Sequence, residues 1–368
     1  GPVQSPLCLL SPLKADKRET LKKLAGIREV QMPASFIFSP ISDRSLTLKI
    51  FSILSPGNSF FRILLILTFF VLIIGFVPAV GSVLIIFLPM LTFFYGTTKG
   101  NSKTAAAFLI PVLFTVFVSY FLHLKTPYPV IFILGVVGLA ISAVIPKNRS
   151  IAKILIYPTL IIVGSICAFF IIAGYQLAVH PWKLVQKFVE TAIGQNINFY
   201  SQLPLSKEEI DLVKNNKQLL INVFTNIFPA MAIIASFVIV WVNVLLGRNT
   251  LRKVGLILPQ LNGLSRWKTP QFLIWIFLTA GGLLLFSHQQ IRLISMNVFL
   301  LACFLYLLQG LAIVSFLFQM KNVPGFLRYL FYFLIVLQQF LMIPIALVGL
   351  FDMWVDFRKF IRNNQVVT

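Results

Sequence analysis

LINVFTNIFPAMAIIASFVIVWVNVLL, residues 220–246, is an unbroken apolar run that carries no charge and is followed by Gly247-Arg248-Asn-Thr-Leu-Arg252-Lys253. About 20 mostly apolar residues let a helix cross a bilayer, so the run reads as a spanning helix that ends in cations. Working outward by the same rule, about nine segments qualify: 61–77, 80–95, 104–124, 128–145, 154–179, 220–246, 270–287, 294–318 and 326–351. The first two are joined by Pro78-Ala-Val-Gly81, which fits either a tight helical hairpin or one broken element. The 368 residues are 58% hydrophobic and 11% charged with a mean hydropathy of +0.91, whereas soluble domains are about a quarter charged. A soluble fold is excluded. The expected class is all-α: a polytopic transmembrane helical bundle with an amphipathic external helical connection.

The ten acidic residues, Asp16, Glu19, Glu29, Asp43, Glu190, Glu208, Glu209, Asp211, Asp352 and Asp356, lie in tails, loops or segment ends. Proton relays and ion-coupled transport usually place an ionisable group at membrane depth, so the apolar runs promise no buried acid chemistry. Asp352 and Asp356, one turn apart beside Arg358 and Lys359, read as an interfacial helix end.

The formal charge of +21, from 31 Lys and Arg against 10 Asp and Glu, would suggest nucleic acid in a soluble chain. Here the cations sit between apolar runs and in the tails, facing anionic headgroups. Membrane lipids are therefore the expected partners, with another membrane or cytoplasmic protein subunit as a second class, and nucleic acid is not expected. Arg248, Arg252, Lys253, Arg266 and Lys268 crowd the loop after 220–246, and Lys147, Arg149 and Lys153 the loop after 128–145, so both loops read as cytoplasmic. Counting about nine crossings from a cytoplasmic basic arm leaves Arg358, Lys359 and Arg362 outside. Either the tail is external, or the last segment, interrupted by Gln338, Gln339 and Pro344, is re-entrant.

Five regions follow. Residues 1–60 form a basic arm in which Leu21, Leu24 and Ile27 share a face, giving either an interfacial helix or a disordered tail. Residues 61–179 make a first bundle, 180–219 a connection, 220–351 a second bundle and 352–368 a charged tail. In the connection, Pro181 opens a helix with Leu184, Val185, Phe188, Ala192 and Ile193 along one stripe and Trp182 as an interfacial anchor. Ser206-Lys-Glu-Glu209 has capping-box spacing and starts a second helix that runs into the next span. Together they form an external cap or a membrane-surface linker.

Catalytic chemistry has little to stand on. His123, His180 and His288 are scattered near span ends without metal-ligand spacing, and no phosphate loop, GxSxG or SxxK string occurs. No metal, cofactor or enzymatic activity is expected. Cys167 and Cys303 read as small buried hydrophobes. Polar residues inside spans remain: Asn222, Thr225, Asn226, Asn243, Asn297, Gln309, Gln338 and Gln339. Side-chain amides are costly in hydrocarbon unless partnered, so they should face inward, either as interhelical hydrogen bonds or as the lining of a solute cavity. On the second reading Asn222, Asn226, Asn297 and Gln309 line a site under the cap. Gly135, Gly138, Gly164, Ala168, Gly281 and Gly282 are expected at close helix contacts. Arg248, Arg252, Lys253, Arg266 and Lys268 are candidates for lipid phosphates or an acidic partner.

Leu258-Pro259, Arg266-Trp267-Lys-Thr-Pro270 with Trp275, Asn297 with Leu305-Tyr-Leu-Leu-Gln-Gly-Leu-Ala-Ile313, and Gly349-Leu-Phe-Asp-Met-Trp-Val-Asp-Phe-Arg-Lys359 resemble the YybS-like family of bacterial membrane proteins, defined by domain of unknown function 2232. The resemblance implies a bacterial inner-membrane architecture and no particular activity. The earlier spans are similar in layout to substrate-binding membrane subunits of energy-coupling-factor transporters, an analogy of fold alone. The sequence thus leads to a non-enzymatic binding or transport-type subunit for a small solute or lipid. Its rivals are a scaffold recruiting proteins through the basic loop and arm, and a lipid-modifying enzyme.

Overall fold

The computed structural model describes residues 60–123, 126–145, 150–202, 207–256, 258, 267–286 and 288–359. The expectations for the basic arm, for Lys147, Arg149, Arg266 and Arg362, and for the capping hydroxyl of Ser206 fall outside these residues. The helices are α1 Phe60–Phe76, α2 Pro78–Leu84, α3 Leu88–Lys99, α4 Asn101–Phe121, α5 Tyr128–Val144, α6 Ile151–Leu177, α7 Pro181–Tyr200, α8 Lys207–Asn215, α9 Lys217–Lys253, α10 Leu273–Leu283, α11 Gln289–Met320, α12 Gly325–Leu337 and α13 Met342–Val355.

Every expected apolar segment contains helix. Five helices are long and apolar enough to cross a membrane: Ala79–Lys99 (α2 and α3 taken through the 3-10 turn Ile85–Phe87), α4, α6, α9 and α11. The α12–α13 pair gives a sixth if taken as one span, but it bends by 107°. The bend has a local cause. Gln338 leaves the helical region at φ −107, ψ 80, and Pro344 lacks the N–H that would continue the ladder back to Phe340. At the other end of the chain, α1 and α2 are separate helices, because Pro78 starts a new helix and Gly81 lies against the backbone of Ile74. Gly100, at φ +94, ends α3 and starts α4.

Helix α9 holds the structure together, packing against α3, α6, α7 and α11. Elsewhere α3 packs on α5, α1 on α4, α10 on α11, and α11 on α13. Outward-facing apolar residues are many, among them Phe69, Tyr175, Trp275 and Leu285. Such a surface would aggregate in water and suits lipid. Cys167 belongs to it, so the expectation of a buried Cys167 is corrected, and Cys303 is half-buried.

The connection is helical, as expected. Pro181 stands at the start of α7, and His180 caps it by accepting the Trp182 N–H on Nδ1 at 3.2 Å. Its inner face is Val185, Val189 and Ile197, a stripe rotated from the expected one, and Phe188 is largely exposed. The second helix, α8, does not run into the span, because Asn216 separates it from α9. The close-contact glycines also sort themselves. Gly135 lies on Phe108 and Gly138 on Thr92 and Pro89, whereas Gly164 and Gly282 have open space and Ala168 is exposed. The tightest approach joins α11 to α13, where a Cβ on Gly310 would overlap the Ile345 carbonyl and one on Gly349 the Tyr306 carbonyl.

Candidate functional site

Pro229 sits inside α9 and carries no N–H, so the carbonyl of Thr225 loses its helical donor. Asn297 of α11 enters beside this break. Its Oδ1 accepts the Ala230 N–H at 2.8 Å, and its Nδ2 donates to the Asn226 carbonyl at 2.7 Å and to the Leu293 carbonyl at 2.9 Å. Asn226 O and Ala230 N–H are the two groups an undisturbed helix would join to each other, so the carboxamide spans a damaged turn. The hydroxyl of Thr225 is 5% exposed as a residue and has no hydrogen-bond partner among the described residues. Helix α7 lies against the same break, with its Phe188, Phe170 of α6 and Phe228 of α9 meeting edge to face at 5.7 to 6.3 Å between centroids.

The device recurs. Asn243 of α9 accepts the Met90 N–H at 2.8 Å and donates to the Ile86 carbonyl at 2.8 Å and the Ile239 carbonyl at 2.7 Å, bridging the turn broken by Pro89 between α2 and α3. In both places a proline is followed by the backbone N–H that the asparagine takes.

Of the expected ligand residues, Asn226 and Asn297 meet, Asn226 through its carbonyl. Asn222 stands one turn away and is exposed, with Gln218 Nε2 at 3.5 Å from its Oδ1. Gln309 is elsewhere, about 18 Å further along α11. It anchors a second, separate polar cluster. Gln309 Oε1 accepts the Thr269 N–H at 3.1 Å and the Thr269 hydroxyl, and its Nε2 donates to Asp352 Oδ2 at 2.9 Å. The other oxygen of Asp352 accepts the Phe357 N–H at 3.0 Å, and Arg358 donates to the Trp267 carbonyl at 2.8 Å. Gln309 is 1% exposed and Asp352 2%, so the reading of Asp352 as an interfacial helix end is corrected. The absence of a side chain at Gly310 and Gly349 lets α13 approach α11 closely enough for the pair to form.

Among the loop cations, Arg252 and Lys253 occupy the exposed last turn of α9, where the helix carbonyls favour positive charge, and Arg248 is half-buried one turn earlier. Lys268 pairs with Asp356 at 3.0 Å, both side chains nearly half exposed. Its ammonium holds the Asp356 carboxyl below the usual carboxylate range. His123, His180 and His288 do not cluster, and no metal-binding group occurs among the described residues.

Fold and cluster together define a multi-pass α-helical membrane protein whose polar side chains close broken helices. The chain belongs to the family described as predicted membrane protein (DUF2232), whose model matches residues 65–353. It is similar to the uncharacterized protein YybS of Bacillus subtilis (strain 168), at 23% identity over 306 residues, which cover 79% of this chain and 93% of that one. No solved structure matches.

Proposed function

We propose that this protein is a non-enzymatic binding subunit of a bacterial inner membrane, taking a small neutral polar solute at the Pro229 break beneath the α7 cap. The Thr225 hydroxyl, which has no hydrogen-bond partner among the described residues, carries the reading. A buried hydroxyl without a partner is costly, and this one belongs to the residue whose carbonyl Pro229 has also deprived of a donor. The two groups offer one donor and two acceptor oxygens, with Asn222 on the adjacent turn.

Discontinuous helices are where membrane transporters place such sites, because the backbone groups released by a break become available to a solute. A neutral solute is favoured because no charged side chain occurs on α9 between Lys217 and Arg248, nor on α11 beyond Arg292. The Bacillus relative supports the bacterial setting.

Native mass spectrometry on gently extracted protein tests the reading. A stoichiometric small-molecule mass should be present on the unaltered chain, lost in Thr225→Val and retained in Gly164→Ala. A co-purifying polypeptide with no small ligand would support instead a scaffold acting through Arg248, Arg252, Lys253, Arg266 and Lys268.

A further inference from the structure

We infer that the solute held at the Pro229 break is a neutral amide, a primary carboxamide or a lactam, joined to an apolar body. Such selection presupposes the solute site already assigned to that break. The protein itself supplies the pattern. At Pro89 and at Pro229 an asparagine carboxamide makes the same bonds in the same register. Its Oδ1 accepts the N–H of the residue after the proline, Met90 or Ala230, and its Nδ2 donates to the carbonyl three residues before the proline, Ile86 or Asn226. Each asparagine also donates to a carbonyl one turn back on its own helix, Ile239 or Leu293.

The two breaks differ at one residue, the one whose carbonyl the proline deprives of its helical donor. At Pro89 this is Ile85, whose carbonyl accepts the Leu88 N–H through the 3-10 turn and whose side chain is apolar. At Pro229 it is Thr225, in a helix that stays α-helical from Lys217 to Lys253, and its hydroxyl is buried with no partner among the described residues. One break is closed by its own backbone. The other presents an acceptor carbonyl and a donor hydroxyl on a single residue.

A carboxamide is a neutral group that carries its donor and its acceptor on separate atoms pointing in different directions, which is why it serves both clamps. A carboxylate has acceptors only and would face the Thr225 carbonyl with no cation on α9 between Lys217 and Arg248. An ammonium would need a carboxylate, and neither α9 nor α11 contains one. A hydroxyl offers donor and acceptor on one oxygen, as water does, and gains little by replacing it. The apolar body follows from Phe170, Phe188 and Phe228, whose rings lie against the break and favour the burial of an apolar group beside them.

Native mass spectrometry with fragmentation of the released ligand reads the class directly, and a probe set reads it independently. Protein stripped of its endogenous ligand and held in lipid nanodiscs is mixed with benzamide, methyl benzoate or benzoate, which share a ring and differ in the N–H donor and the charge. The released ligand should yield a carboxamide or lactam fragment. Benzamide should raise Tm in the unaltered chain and in Thr225→Ser by more than methyl benzoate or benzoate does, and should lose this advantage in Thr225→Val. A released ligand without an amide, or equal shifts from benzamide and methyl benzoate, would overturn the amide assignment while Thr225-dependent binding kept the solute site. Binding that ignores Thr225→Val, or no binding at all, would remove the solute site and the assignment with it.

Discussion

At Gly349 a methyl group has no room, since it would meet the carbonyl oxygen of Tyr306 across the α11–α13 crossing. Gly349→Ala should therefore lower stability by about 1–3 kcal/mol, the usual cost of overpacking, read as a fall in Tm in detergent. Gly164→Ala, at a glycine with open space, should leave Tm unchanged or raise it slightly, because alanine is the better helix former. Gln309→Leu leaves Asp352 without its side-chain donor and Thr269 without its acceptor, and should cost about 1–3 kcal/mol.

The exposed pair beside it behaves differently. Lys268 lowers the Asp356 carboxyl, so its contribution is present above the ordinary carboxylate value of about 4 and fades as pH falls through the lower folded value. Both groups are open to solvent, so Lys268→Ala at neutral pH should shift stability by less than about 1 kcal/mol. Sequence reading singled out Gln309 and Asn297 because amides are rare in apolar runs. It read Asp352, with Asp356 beside Arg358 and Lys359, as an interfacial helix end, and only the fold shows the carboxylate turned inward onto Gln309.

Elements show how far periodicity reaches. Apolar length located the expected spanning segments, the amphipathic stripe located α7 and Pro181 marked its start, because these signals are local. The amide clamps depend on partners far apart in sequence, Asn297 with Ala230 and Asn243 with Met90, and no local pattern carries that information. If the clamp compensates for the proline, Asn297→Leu should destabilise by about 1–2 kcal/mol, in the range of membrane interhelical hydrogen bonds. Pro229→Ala added to it should recover part of the loss, since alanine returns an N–H to the Thr225 carbonyl. A double-mutant cycle on thermal unfolding reads this coupling, and strictly additive losses would mean that the carboxamide and the proline act independently. The α12–α13 break was legible as an interruption at Gln338, Gln339 and Pro344, but its angle was not, because composition carries no bend direction.

On the scale of the molecule, α9 gathers the bundle. Within its length it receives Asn297 at Ala230 and presents Asn243 to the α2–α3 break, and it meets α7 through Phe228. The central claim is that the Pro229 break, flanked by the Thr225 hydroxyl and closed by the cap, is built to take a solute. The most direct test is an electron cryomicroscopy map of the protein in lipid nanodiscs, taken without added detergent after extraction. The account predicts a non-protein feature larger than a water molecule, within hydrogen-bonding distance of Thr225 Oγ1 and bordered by Asn297. Side chains packed without a gap around Thr225, with its hydroxyl bonded to a neighbouring protein group, would contradict it.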